Sequence, residues 1–154
     1  MAKMTLYRHF RSKEELVLAV LDLREELWTR RWLGQVIEQR GQTADERLLV
    51  IFDAFDEWFH REDYEGCLFT NALLEVHDPT SVVGLAASEK RENIRLILRD
   101  LAEQAGVRDP DEFAYQWQML MIGSIVIAVQ GGKEAARHAR EAGARLLERE
   151  RQGP

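Results

Sequence analysis

Four helix-start signals recur along this chain and leave little room for anything but helices. Ser12-Lys-Glu-Glu15 and Thr43-Ala-Asp-Glu46 are capping boxes, in which the hydroxyl accepts from the amide three residues on and the glutamate carboxylate reaches back. Asp78-Pro79 and Asp109-Pro110-Asp-Glu112 each set an acidic cap before a proline at the first helical position. No run with the two-residue alternation of a strand, and no internal repeat, lies between them. The spacing predicts helices at 3–9, 13–40, 44–62, 67–76, 79–105, 110–130 and 133–150, joined by short loops, which is an all-α bundle.

At 154 residues, 45% hydrophobic and 31% charged, the chain can bury one sizeable core. We expect a cytoplasmic protein with no membrane partner, since the start has no leader pattern and the apolar run Met119 to Val129 is too short to span a bilayer. Cys67 stands alone, so there is neither an internal disulfide nor a cysteine metal cluster, and we read it as a small buried hydrophobe. No Gly-rich phosphate loop, His-Glu-x-x-His, nucleophile elbow or Cys-x-x-Cys is present, so no catalytic residue, cofactor or metal is expected. His60, Glu62 and Asp63 at one helix end and Glu75, His77 and Asp78 at another would hold a metal only if paired in space. We read them instead as solvated or capping groups, with Asp78 capping the following helix.

Charge is distributed unevenly. Lys3, Arg8, Arg11 and Lys13 put four positive charges and no carboxylate in the first thirteen residues, so the other 141 carry −10 of the net −6. A cationic tip on an acidic body attracts a polyanion locally while the body is repelled. If Thr5 to Phe10 is helical, Tyr7, Arg8 and the ends of Thr5 and His9 project from one short rod of a size that fits a DNA major groove.

The run Thr5-Leu-Tyr-Arg-His-Phe10, followed at fixed spacing by Ser12-Lys-Glu-Glu-Leu16, resembles the end of the helix-turn-helix and the start of the linker helix in the TetR family of transcriptional regulators. Gly66-Cys-Leu-Phe-Thr-Asn71, the Asp-Pro starts and the apolar penultimate helix extend a looser likeness through residues 66–150. The resemblance implies that Tyr7 contacts the DNA backbone, that Thr5 and His9 contact backbone or bases, and that Lys13 contacts phosphate. Lys3, Met4 and Arg8 fall where members vary their sequence readout, and Leu6 and Phe10 would be core residues of the small domain. Members also carry upstream the first two helices of that domain, and a lone recognition helix is marginal in water. We therefore expect a start placed too late, at an internal GTG, or deliberate trimming, and poor operator binding by the chain as written.

On this reading residues 1–40 are the remnant of a DNA-binding domain, with its recognition helix and linker helix, and 41–154 form an effector-binding and dimerisation domain. The expected partners are double-stranded operator DNA, for the full-length protein, an apolar or aromatic small-molecule effector, and a second copy of the chain. Operator binding by such a dimeric repressor would be relieved by the effector. Phe52, Phe55, Phe59, Phe69, Asn71, Glu75, Tyr115 and Met121 are the candidate pocket residues, and all the aromatic ones are equally suited to filling a core. A helix apolar all round must be covered on both sides, so Trp117, Leu120, Gly123, Ser124, Ile127 and Ala128, with Ala139 and Leu146 of the last helix, are the candidate dimer contacts. The rival readings are a DNA-free dimerisation or ligand-binding module acting on a partner, favoured by co-purified heterodimers, and a metal-binding helical-bundle enzyme, favoured by stoichiometric metal.

Overall fold

The computed structural model describes residues 2–151, without the side chains of Ala2, Lys3, Leu6 and Tyr7. The element order is α1 (Ala2–His9), α2 (Lys13–Arg24), a π-helical segment (Glu25–Leu33), α3 (Gly34–Arg40), α4 (Ala44–Phe59), α5 (Leu68–Val76), α6 (Val82–Gln104), α7 (Pro110–Val129) and α8 (Ala135–Arg151), with no strand among the described residues. Helix 13–40 is thus continuous in direction, since both ends of the π segment keep right-handed helical backbone. Its widened turn shows in the Gly34 amide, which reaches the Thr29 carbonyl five residues back.

That widening has a reason in the burial pattern. Leu21, Glu25, Thr29, Leu33 and Ile37 are all buried, at an unbroken spacing of four residues. In an ordinary helix of about 3.6 residues per turn such a stripe drifts by roughly 40° per step and would wrap to the far side. The wider π turn takes up the drift and keeps all five residues against the bundle.

The caps form largely as the sequence predicts. Thr43 and Glu46 make the complete capping box, and the Glu112 amide donates to Asp109 with Pro110 at the first helical position. At Ser12 the hydroxyl accepts from the Glu15 amide at 3.0 Å, but the returning Glu15 carboxylate takes the Arg11 amide at 2.7 Å rather than that of Ser12. The reading of Asp78 as the cap of α6 is corrected. Its carboxylate turns onto the Thr80 amide and hydroxyl, and Ser81 caps the helix by accepting from Gly84 at 3.1 Å, so α6 begins at Val82. Gly106, at φ 75°, closes α6 in the left-handed region that favours glycine, with the Val107 amide returning to the Ala102 carbonyl.

The core lies where α4, α6, α7 and α8 meet. Phe52, Phe55 and Phe59 of α4, Leu98 and Ala102 of α6, Phe113 and Trp117 of α7, and Ala136 and Leu147 of α8 are buried together. Gly143 lets α8 approach: a Cβ there would sit 2.8 Å from the Trp117 ring.

Candidate functional site

The N-terminal end is built as a short rod on a long one. Of the candidate DNA-contacting residues, Met4 is 74% exposed, Thr5, Arg8, His9 and Lys13 are also exposed, and the side chains of Lys3 and Tyr7 lie outside the described residues. Arg8 and His9 occupy the last turn of α1, the negative end of its dipole. Phe10 is half-buried, and Leu6 falls with the side chains not described.

Helix 13–40 is tied to the body by an ion cluster, buried at Glu25 and Lys90 and exposed at Asp22, that the sequence did not disclose. The Lys90 ammonium of α6 lies 2.7 Å from Asp22 Oδ1 and 2.8 Å from Glu25 Oε2, and the Asn93 amide donates to Glu25 Oε1 at 2.6 Å. Burial pushes the Glu25 carboxyl up, but the bonds from Lys90 and Asn93 outweigh it and hold the group below the ordinary glutamate range. Burial likewise lowers Lys90, and its two carboxylate partners carry it above the ordinary lysine value.

The candidate pocket residues are not brought around one space. Phe52, Phe55, Phe59, Phe69 and Met121 are buried and fill the core, whereas Tyr115 is 60% exposed. Asn71 and Glu75 are exposed and line a separate apolar groove of about 630 Å³ with Leu16, Val17, Val20 and Ala72, near the N-terminal end of α2. The Asn71 amide also donates to the Glu65 carbonyl at 3.4 Å. A cleft missed in the sequence lies between helix 13–40 and α4: about 540 Å³, lined by Trp28, Trp32 and Trp58 with Arg24, Glu57 and Arg61. Its signal was the i, i+4 spacing of Trp28 and Trp32.

The outer side of α7 and α8 is different in character. Leu120, Gly123, Ser124, Ile127 and Ala139 line an apolar groove of about 560 Å³, together with Met119, Gly132, Ala135, His138 and Ala142, which the sequence reading had not placed there. Trp117 and Ala128, counted among the dimer contacts from sequence, are corrected: both face inward and are completely buried within the single chain, Trp117 between Phe52 and Phe113. Leu146 is half-buried beside the core. The full α7, at 20 residues, is long and apolar enough to cross a membrane, unlike its run Met119 to Val129 alone, but close to half of it is packed inside the bundle. The loop before α5 is clasped to this helix by Tyr64, whose hydroxyl donates to the Ile125 carbonyl at 2.6 Å while the Lys133 ammonium lies 4.7 Å over its ring.

Among the described residues no three His, Cys, Asp or Glu side chains come together as a metal site. His60 Nδ1 lies 2.7 Å from the Asp56 carbonyl, and Asp63 is held by Arg61 at 2.8 Å. Cys67, expected to be buried, is half-buried at the cap of α5.

No family model matches the chain. The HTH-type transcriptional regulator YjdC, from Escherichia coli (strain K12) and from Shigella flexneri, is 27% identical over 94 residues, covering 61% of this chain and 49% of the relative. The chain therefore spans about half the length of the curated relatives it matches. Among solved structures, SCO4454, a TetR-family transcriptional regulator from Streptomyces coelicolor, superposes with a TM-score of 0.87 at 23% identity, covering 97% of this chain and 78% of that one. NemR of Escherichia coli in its reduced form gives 0.79 at 20% identity over 93% and 78% of the two chains. A TetR transcriptional regulator from Chloroflexus aurantiacus gives 0.78 at 22% identity over 94% and 76%. Along nearly its whole length, the chain has the fold of the TetR-family transcriptional regulators.

Proposed function

We propose that this chain is the regulatory part of a cytoplasmic, TetR-type transcriptional repressor: the end of a DNA-reading domain on residues 1–40 and an effector-binding and dimerisation domain on 41–154. The observation that carries the reading is the exposed cationic end, Arg8, Arg11 and Lys13, mounted on one continuous helix that runs into the bundle. Those 28 residues from Lys13 to Arg40 make a lever roughly 40 Å long. The apolar groove on α7 and α8 supports a homodimer, in which two reading ends would meet successive major grooves about 34–36 Å apart. An effector then acts only to the extent that it binds the two tilts of the lever with different affinity. The chemistry is binding, with no catalytic step.

The test is selection of genomic DNA fragments on the protein as its native cell makes it, with its intact mass measured alongside. Recovered fragments sharing an approximate palindrome, bound by a protein heavier than 17.9 kDa, are the expected result. A native protein of that mass that recovers only random DNA overturns the DNA-binding part and leaves a dimerisation module.

A further inference from the structure

Three of the four tryptophans meet at one place, where helix 13–40 crosses α4. The ring centroids of Trp28 and Trp32 are 5.4 Å apart, those of Trp28 and Trp58 5.5 Å, and those of Trp32 and Trp58 5.8 Å. Trp28 is buried beneath the other two, and the half-buried Trp32 and Trp58 keep ring surface for the cleft of about 540 Å³ described above. That volume falls within the range of small-molecule sites. The π segment puts Trp28 and Trp32 on adjacent turns of one face, and Arg24 immediately precedes it.

The rest of the lining is mostly charged, with Arg24, Glu57, Arg61, Asp63 and Glu65, and two of its ion pairs can be assigned. Both oxygens of Glu57 are taken by Arg40, at 2.7 and 3.0 Å, and both of Asp63 by Arg61, at 2.8 Å each. Arg24, half-buried, makes no side-chain hydrogen bond and no contact ion pair among the described residues, although its charge reaches Asp63 and, second to the bonds from Arg61, helps to hold that carboxyl below the ordinary aspartate range; it also lines a smaller adjoining cavity of about 290 Å³. A partly desolvated guanidinium is a bidentate donor set suited to a carboxylate, and indole faces suit a flat ring.

We propose that this cleft binds a planar aromatic carboxylate of one or two rings, with the ring against Trp32 and Trp58 and the carboxylate on Arg24. The assignment rests on the reading of the chain as an effector-responsive regulator and gives that effector a chemical class. A ligand held between Arg24 and Trp32 of helix 13–40 and Trp58 of α4 spans the joint at which the lever meets the body, so its affinity depends on the lever's tilt.

The experiment is calorimetric titration of 2-naphthoate into the whole chain, beside its neutral isostere 2-naphthamide and the cation 2-naphthylmethylammonium. Saturable binding of one 2-naphthoate per chain is expected, at least about tenfold tighter than the amide. Arg24→Gln should erase that preference, and Trp58→Leu should weaken both ligands about tenfold or more. Circular dichroism checks that each variant keeps its helices. Absence of 2-naphthoate binding, unchanged affinity in Arg24→Gln, or tighter binding of the cation lost in Glu65→Gln would each overturn the site. The effector role fails separately: 2-naphthoate that binds through Arg24 yet leaves the DNA affinity of the native protein unaltered keeps the cleft and removes its role as effector site, while the regulator reading stands or falls with the recovery of palindromic DNA.

Discussion

Helices α4 and α7 are both strongly apolar, yet they do opposite things with that surface. On α4 the large side chains gather on one side, and Leu48, Ile51, Phe52, Phe55 and Phe59 are all buried, while Asp53 and Glu57 face outward to Arg140 and Arg40. On α7 the inner residues Phe113, Trp117, Met121 and Ile125 are buried just as fully, but the outer side remains apolar: Met119 is 57%, Ile127 52% and Val129 56% exposed. An amphipathic helix is completed by one bundle, whereas a helix apolar on both sides has one side left over. The difference separates side chains that hold this chain together from side chains left over for the proposed second copy.

The sharpest way to break that distinction is on α4. Phe55 touches Trp28, Trp32, Phe52, Trp58 and Phe59 with ring centroids 5.5–6.3 Å away, so its deletion empties the centre of the aromatic cluster. Phe55→Ala should cost about 3–5 kcal/mol in urea unfolding. A loss under about 1 kcal/mol would mean that the cluster is loosely packed.

The next effect concerns the buried charge between helix 13–40 and α6. Lys90→Met leaves Glu25 buried opposite Asn93 without its ammonium, at a cost of about 3 kcal/mol. Replacing both charges, as Glu25→Leu with Lys90→Met, should recover most of it. The pH dependence has a definite sign. Because the folded Glu25 carboxyl sits below its ordinary value of 4.5, its contribution is complete above that pH and is lost as pH falls through 4.5 and on through the lower folded value. Lys90 is raised above 10.5, so its contribution is full below that value and disappears as pH rises beyond it. Chemical unfolding at several pH values should show a smaller acid loss in the double variant than in the natural chain, the remainder coming from other lowered carboxyls such as Glu57 and Glu92.

On the inner face of α7 the test is overpacking. Gly143→Ala sets a methyl group 2.8 Å from the Trp117 ring and 3.2 Å from Phe52, and neither has room to retreat. The cost should be about 1–3 kcal/mol, against the small gain that alanine brings to an open helix position. A stabilised variant would show that α8 stands off from the core.

Much of this was readable from sequence because caps and periodicity are local. Ser12, Thr43 and Asp109 start helices where their hydroxyls and carboxylates predicted, and the helical spacing of Leu48, Phe52, Phe55 and Phe59 marked α4. Asp78 was misread because a proline after an acid marks both a helix start and a turn, and the nearer cap, Ser81, decided between them. The π segment left no local trace: its four-residue stripe includes Glu25 and Thr29, which no hydrophobic pattern counts as core, and Glu25 is buried only because Lys90, distant in sequence, meets it. The tryptophan cleft escaped for the same reason, since Trp58 joins Trp28 and Trp32 only through packing. Trp117 shows the reverse failure, because composition could say that α7 had excess apolar surface but not which side carried it.

The smallest effect on the fold should come from the outer side of α7, and it is the one that decides the comparison. Ile127 lies on the groove with Leu120, Gly123 and Ala139, and half its surface meets no other residue of the protomer. Ile127→Glu therefore exchanges solvent-facing methyl groups for a carboxylate and should change protomer stability by less than about 0.5 kcal/mol. In a two-fold interface the same substitution places two carboxylates close together and desolvates both, which opposes association by several kcal/mol. Sedimentation should then find the natural chain as a dimer and the variant as a folded monomer at the same concentration. If the variant stays dimeric, the exposed side of α7 is not the self-association face. If it unfolds, the face belongs to the protomer's own core, and the contrast between α4 and α7 disappears.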